Sequence, residues 1–483
     1  MTNSLPPRPI CSNEVYPMAA HADEITKWSA SRIAAAIRNK EITALEAVDT
    51  CLARIAQVNP KLNAVVQICA ERARKEAREA DSAIARGESK GVLHGVPITI
   101  KDAFETEGII SAGGTMGRAS YVPTRDATVV ARMRAAGAIV LGKTNVPEFC
   151  LAFETNNGVY GRTNNPYDTT RTPGGSSGGE AAIIAAGGSP LGLGSDTGGS
   201  IRLPSHFSGI AGIRPSSGRV PRTGHWPPLN GAFDPLTQIG PMARRVEDLI
   251  LTLPIIAGPD CIDPAIIPLA LGDPGKVDLK SLRVAFHTDN GISSPTPATA
   301  ATVKNAAETI RTAGATVVEA RPDGIEDAMS LFSILNIPAF KFGVDALGAE
   351  AGTTEYGPLV IKAKAAFAHM NISAEEIFAL LTKIDVYRSR MLGFFSNHDA
   401  IICPVNAAPA PPHDTTFDRL PDFSYTFAYN LTGWPGTAVR CGTSPEGMPI
   451  GVQVVAPPWR EDIALAVALH LDNALGGWQP TSL

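Results

Sequence analysis

The amino-acid sequence predicts an α/β protein organised around one sheet. Three observations predict it. Short apolar runs alternate with helix-forming stretches, two glycine-rich clusters sit where such runs meet helices, and no linker-like segment separates the later runs from the earlier ones. With 483 residues, 44% hydrophobic and 18% charged, the chain can bury a large core without staples. A net charge of −5 is small for this size and argues against a nucleic-acid or membrane surface. No run of about 18 apolar residues appears, so no transmembrane helix is expected. The seven cysteines are scattered without a C-x-x-C pair and read as reduced thiols in a cytoplasmic protein. The nine histidines form no metal-ligand spacing, so no metal is expected.

Residues 1–24, with Pro6, Pro7 and Pro9 and no apolar signal-like core, read as an N-terminal arm, and 25–483 as a single domain. Over 29–85 apolar residues recur at helical spacing. Thr43-Ala44-Leu45-Glu46 carries a capping-box signature, and Asn59-Pro60 is expected to stop that helix. The mixed charges of 71–76 mark a solvated helix face. Gly95-Val96-Pro97-Ile98-Thr99-Ile100 reads as a buried strand ending on Lys101 and Asp102. A helix over 127–136 and a strand over 138–141 follow, with Gly142-Lys143-Thr144-Asn145 as a turn.

The first cluster, Gly174-Gly175-Ser176-Ser177-Gly178-Gly179, opens a short buried helix over 180–186, and a small-residue strand over 191–196 then delivers Ser200 into a turn. Next come a strand over 282–286, a helix over 298–313 and a strand over 315–318. A strand-free helical region over 325–397 is rich in phenylalanines that serve a core or a substrate pocket. Strands over 400–405 and 449–455 and a helix over 460–474 close the chain.

Glycine frees main-chain N–H groups to face something negative, a phosphate or an oxyanion. The phosphate reading fails on spacing. Neither cluster fits G-x-G-x-x-G, and the formal G-x-x-x-x-G-K-T match from Gly137 to Thr144 has Ala138-Ile139-Val140-Leu141, a strand, where a loop is needed. The first cluster fits G-x-S-x-G around Ser176 or Ser177. Thr170-Arg171-Thr172-Pro173 precedes it, however, instead of a hydrophobic strand. None of His206, His369, His398 and His413 has the context of a triad base. Serine activated by lysine remains.

Gly174 to Glu180 and Asp196 to Arg202 together resemble the amidase signature family. The resemblance extends to the segment ending at Lys101-Asp102, to Gly142-Lys143-Thr144-Asn145-Val146-Pro147-Glu148-Phe149, to Gly161-Arg162-Thr163-Asn164-Asn165-Pro166 and to Asn430-Leu431-Thr432-Gly433-Trp434-Pro435. It implies a large mixed β-sheet core sandwiched by many α-helices. It also implies a Ser-Ser-Lys triad with Ser200 as nucleophile, Ser176 as proton relay on a cis peptide 24 residues earlier, and Lys101 as base. The backbone N–H groups of Thr197, Gly198, Gly199 and Ser200 would form the oxyanion hole. Ser177, Asp196 and Arg202 read as supports for the network and the loop.

Elementary chemistry agrees with these roles. A lysine of ordinary pKa, about 10.4, is almost wholly protonated near neutral pH, so Lys101 must be depressed by burial to act as a base. The expected activity is hydrolysis of a carboxamide, extending to an ester, anilide or carbamate, by a cofactor-free monomer or homodimer using water as second substrate. Two alternatives stand beside it. One is the amidotransferase A-type subunit that releases ammonia from glutamine for tRNA-dependent amidation. The other is a non-catalytic binding relative, whose signature would be loss of Lys101, Ser176 or Ser200.

Overall fold

The computed structural model describes residues 22–228 and 236–483. Thirteen strands are present among these residues: β1 Val65–Ile68, β2 Pro97–Lys101, β3 Ile139–Thr144, β4 Asn156–Asn157, β5 Gly161–Arg162, β6 Leu191–Asp196, β7 Ala211–Arg214, β8 Gln238–Ala243, β9 Arg283–Phe286, β10 Thr316–Glu319, β11 Ala400–Pro404, β12 Gly436–Thr443 and β13 Pro449–Val455. Eleven of them form one mixed sheet in the order β1-β3-β2-β6-β8-β7-β12-β13-β11-β9-β10; β4 and β5 pair separately. This is the expected α/β architecture with a helix-covered mixed sheet. The central strands β2, β6 and β8 are buried at every residue and show no alternation of inward and outward positions.

β2 runs parallel to both β3 and β6, which aligns the carboxyl ends of all three at one edge of the sheet. In sheets of this kind the crevice outside such ends is where ligands sit. From β2 the chain presents Lys101; from β6 it presents Ser195 and Asp196 and then the second glycine cluster, Thr197-Gly198-Gly199-Ser200. The first cluster leads into the helix Gly178–Ala185, buried at all eight positions, as expected for a segment with no polar face.

Several expectations need correction. The 29–85 stretch is three helices, Ala30–Arg38, Ala44–Leu62 and Ala70–Ala85, interrupted by β1. The capping box at Thr43 and Glu46 is present, but Pro60 lies inside its helix, which ends at Leu62 with Asn63 in the left-handed conformation. Gly142-Lys143-Thr144 is strand, not turn. A Cβ at Gly142 would stand 2.1 Å from the carbonyl oxygen of Gln67, so glycine there permits the close β1–β3 approach. β7, β8 and β12 and the helix Val246–Ile256 have no counterpart in the elements that the sequence predicts.

The region 325–397 is built of helices joined by short loops and holds no strand, as expected. Its first part departs from the expectation that no segment is long and apolar enough to cross a membrane. Ile325–Ala351 is one helical run of 27 residues, and its most apolar window has a mean hydropathy of 1.2 and is 39% buried within the protein. The serines, Asn336 and Lys341 dispersed through it break up any uninterrupted apolar run. Leu331 and Leu335 bury in a cluster with Phe427 and Leu431 of the helix Ser424–Thr432, which seats this cap over the carboxyl end of β6. The 1–24 arm lies outside the described residues except for its last three, which belong to the short helix Ala22–Ile25.

Candidate active site

Lys101 ends β2 with no exposed surface. Its Nζ reaches Ser176 Oγ at 2.7 Å, Ser177 Oγ at 2.9 Å and Ser195 Oγ at 2.9 Å, with the Ser195 carbonyl at 3.5 Å. Among the described residues no carboxylate forms an ion pair with it. Burial therefore holds the ammonium below its ordinary pKa; Cys150, whose thiol also hydrogen-bonds the amine, and the more distant Asp196 and Glu180 oppose the shift without cancelling it. A second buried lysine gives the contrast. Lys143 has Asp102 Oδ1 at 3.9 Å and bonds to Ser111 Oγ and the Phe104 carbonyl; burial lowers it to about 8.

The Gly175–Ser176 peptide is cis. Ser177 donates its N–H to the Ser200 carbonyl at 3.2 Å, which ties the two glycine clusters together, and its hydroxyl lies 3.4 Å from the Ser195 carbonyl. Glu180, in the first turn of the helix, is fully buried between the hydroxyls of Thr99 and Thr144; burial raises its carboxyl to about 7, and those two hydrogen bonds oppose the rise.

The loop after β6 is wound around the Asp196 carboxylate. Oδ1 accepts from the Gly199 N–H at 2.8 Å and from Asn430 Nδ2 at 2.8 Å, and Oδ2 accepts from the Ile201 N–H at 3.2 Å. Arg202 closes on both oxygens, Nε to Oδ2 at 3.0 Å and Nη2 to Oδ1 at 3.1 Å, and also reaches Gln453. Burial alone would raise this carboxyl, but the guanidinium and its neighbours outweigh it, and Asp196 sits well below the usual carboxylate range. The Gly199 N–H is thus engaged within the loop, leaving those of Thr197, Gly198 and Ser200 as the donors of the expected set that Asp196 does not take. Gly199 has φ +119°, and a Cβ there would stand 2.5 Å from Thr426 Oγ1, so no other residue fits without displacement.

Removing one partner of a fully buried pair leaves the other charge uncompensated. Arg202→Met is expected to cost about 3–5 kcal/mol, read as a lower denaturant midpoint. An unchanged midpoint would show that the pair does not hold the loop.

Beyond Ser200 opens a cavity lined by Phe153, Phe332, Phe340, Phe367, Phe417 and Phe427, with Cys150, Thr197 and Gly198 at its inner end. Phe332 and Phe427 stack at 4.1 Å. None of the described residues lining it carries a charge.

Three site residues escape a reading of the sequence alone. Ser195 and His225 contact the Lys101 cluster, and nothing in their local pattern marks them. Cys150 lies at the inner end of the cavity; burial raises its thiol, while Lys101 and Ser176 oppose the rise. It and Phe149 both have positive φ, a pair of left-handed residues visible only in the structure. Of the four histidines without triad context, His206 is buried and satisfied by Ala408 O and the Gly451 backbone, as a structural residue would be. Among the described residues nothing hydrogen-bonds or stacks on His369, and His398 and His413 bond backbone carbonyls away from Lys101.

A serine- and lysine-bearing cleft at the carboxyl ends of the parallel strands β2 and β6, opening on an apolar cavity, suits an amide hydrolase of the amidase type. The sequence model of the Amidase family matches residues 46–465, and the chain belongs to that family. It is 33% identical to fatty-acid amide hydrolase 2 of Homo sapiens over 482 residues, covering 93% of this chain and 89% of that protein. It is equally 33% identical to the A-type subunit of glutamyl-tRNA(Gln) amidotransferase from Anaeromyxobacter dehalogenans (strain 2CP-C), covering 95% and 98%. Among solved structures, 6-aminohexanoate cyclic dimer hydrolase superposes with a TM-score of 0.84 at 28% identity, covering 95% of this chain and 99% of that one.

Proposed function

We propose that the chain hydrolyses the C–N bond of linear carboxamides with an apolar acyl or aryl group through an acyl-enzyme on Ser200. One observation carries the reading: a fully buried lysine whose amine is ringed by neutral hydroxyls, Ser176 first among them, beside a phenylalanine-lined cavity that Ser200 also lines. Ser200 Oγ attacks the carbonyl carbon while its proton passes to Ser176, whose own proton moves to Lys101 Nζ. The charge that develops on the carbonyl oxygen is met by the N–H groups of Thr197, Gly198 and Ser200, held in place by Asp196 and Arg202. The C–N bond breaks as the departing amine takes the proton back along the relay. Water, activated by the same groups, then releases the acid. Esters, anilides and carbamates present the same carbonyl and fall within reach of this apparatus. On this reading the protein works in the cytoplasm, without cofactor, as a monomer or homodimer.

The likeness to an amidotransferase component favours a second reading, release of ammonia from glutamine. The cavity argues against it. Glutamine carries two charges that are costly to bury without partners, and no lining residue among those described is charged.

A panel of anilides of increasing acyl length separates the two. The purified chain alone should hydrolyse them, with kcat/KM rising about fourfold per methylene until the cavity is filled. A preference for glutamine, or activity only with a partner protein, would favour the amidotransferase reading instead.

A further inference from the structure

His225 contacts the lysine cluster, yet the mechanism above gives it no role. It is held tightly to the segment that follows Lys101. The Trp226 N–H donates to the Ala103 carbonyl at 2.7 Å, His225 forms a backbone bridge with Phe104, and its ring stands edge-on to that phenylalanine at 5.3 Å. Nδ1 lies 3.0 Å from the Pro227 carbonyl oxygen and Nε2 lies 2.8 Å from Ser195 Oγ.

These two contacts fix where the protons go. A carbonyl only accepts, so Nδ1 carries the proton. Burial, reinforced by the nearby Lys101 and opposed by the Pro227 hydrogen bond, lowers the ring to about 3 and keeps it neutral. Nε2 then offers a lone pair, and the Ser195 hydroxyl must donate to it. With its only proton used, Ser195 Oγ can face Lys101 only as an acceptor. Ser177 is in the same position, since its hydroxyl is placed to donate to the Ser195 carbonyl. A neutral lysine amine has two N–H groups and one lone pair. When Ser177 and Ser195 accept the two N–H groups, the lone pair is left for Ser176, the nearest hydroxyl; the Cys150 thiol also meets the amine but is only a weak donor.

We propose that His225, acting through Ser195, is a positioning residue that aims the Lys101 lone pair at Ser176. The proposal rests on the Ser200-Ser176-Lys101 reading. The other titratable or charged groups that face the pair are Cys150, Asp196 and Glu180 around Lys101 and Arg222 near His225.

His225→Leu keeps the bulk and removes the acceptor, so the Ser195 hydroxyl turns to donate to the lysine lone pair and competes with Ser176. On an apolar anilide kcat should fall about tenfold, the net worth of one hydrogen bond, with KM within about twofold of the parent. The rising limb of the kcat–pH profile should move to lower pH, because a second donor to the lone pair favours the neutral amine. His225→Gln, whose amide oxygen can accept, should stay within about threefold of the parent. In a Ser195→Ala background His225→Leu should have no further effect. An unmoved kcat and limb in His225→Leu, or the same loss with and without Ser195, would overturn the proposal.

If His225→Leu does not fold, histidine nitrogen NMR of the parent decides, with the His225 signal assigned from the His225→Gln spectrum. A neutral ring protonated at Nδ1 over about pH 6 to 8 supports the proposal, and the Nε2–H form or an imidazolium overturns it. The two levels fail separately. Retained activity in Ser200→Ala refutes the underlying mechanism, whereas dead Ser200→Ala and Lys101→Ala variants beside an unaffected His225→Leu refute only the role of His225.

Discussion

Ser200→Ala is expected to lower kcat on an apolar anilide by about 10⁴-fold or more while substrate binding stays near the parent's, because the variant keeps the cavity and removes only the attacking oxygen. The residue lines the apolar cavity and is 6% exposed, reachable by a substrate carbonyl but otherwise enclosed. Cys150, a second nucleophile-bearing residue lining the cavity, provides the control. Cys150→Ala should remain active, since burial raises the thiol and keeps it protonated. Steady-state kinetics on the purified variants check both statements; an active Ser200→Ala would move the nucleophile elsewhere.

Lys101→Ala should be about as damaging, and Lys101→Arg should not rescue it, because a guanidinium keeps its charge and cannot accept a proton. The pH dependence of the parent follows from the direction of the lysine's shift. The base works only when neutral, so activity rises with pH. Because burial depresses the ammonium, that rise should be complete below the ordinary lysine range near about 10.4. A flat profile from about pH 6 to 10 would contradict a lysine base.

What can be read from the sequence depends on how each element is buried. β2, β9 and β11 are short runs of branched apolar residues with clear ends and are legible. β7, β8 and β12 carry glycines, a proline and arginine within four to eight residues, and nearly all of those residues are buried. They owe their conformation to neighbours on both sides in the sheet, which no local pattern records. Lys143 reads as part of a turn because glycine and asparagine flank it, whereas the strand is imposed by pairing with β1 and β2.

The site divides in the same way. Lys101, Ser176 and Ser200 belong to contiguous motifs, and the structure brings Lys101 against Ser176 across 75 residues. Ser195 and Cys150 sit at the margins of such motifs without a role the motifs assign, and His225 reaches the same cluster from a segment outside them. Cys150 and its neighbour Phe149 both take left-handed backbone, and His225 is held by the Trp226 N–H bond to the Ala103 carbonyl. The order of hydroxyls around the amine is a product of three-dimensional packing, and periodicity carries no information about it.

The central claim is that the reaction passes through an ester on Ser200. Rapid acid quench of the enzyme with a slowly deacylating aryl ester or carbamate, followed by proteolysis and mass spectrometry, tests it directly. The account predicts an added acyl mass on the peptide bearing Ser200, absent from Ser200→Ala and strongly reduced in Lys101→Ala. An acyl group on Cys150 or Ser176, or turnover with no covalent adduct at any time, would contradict it.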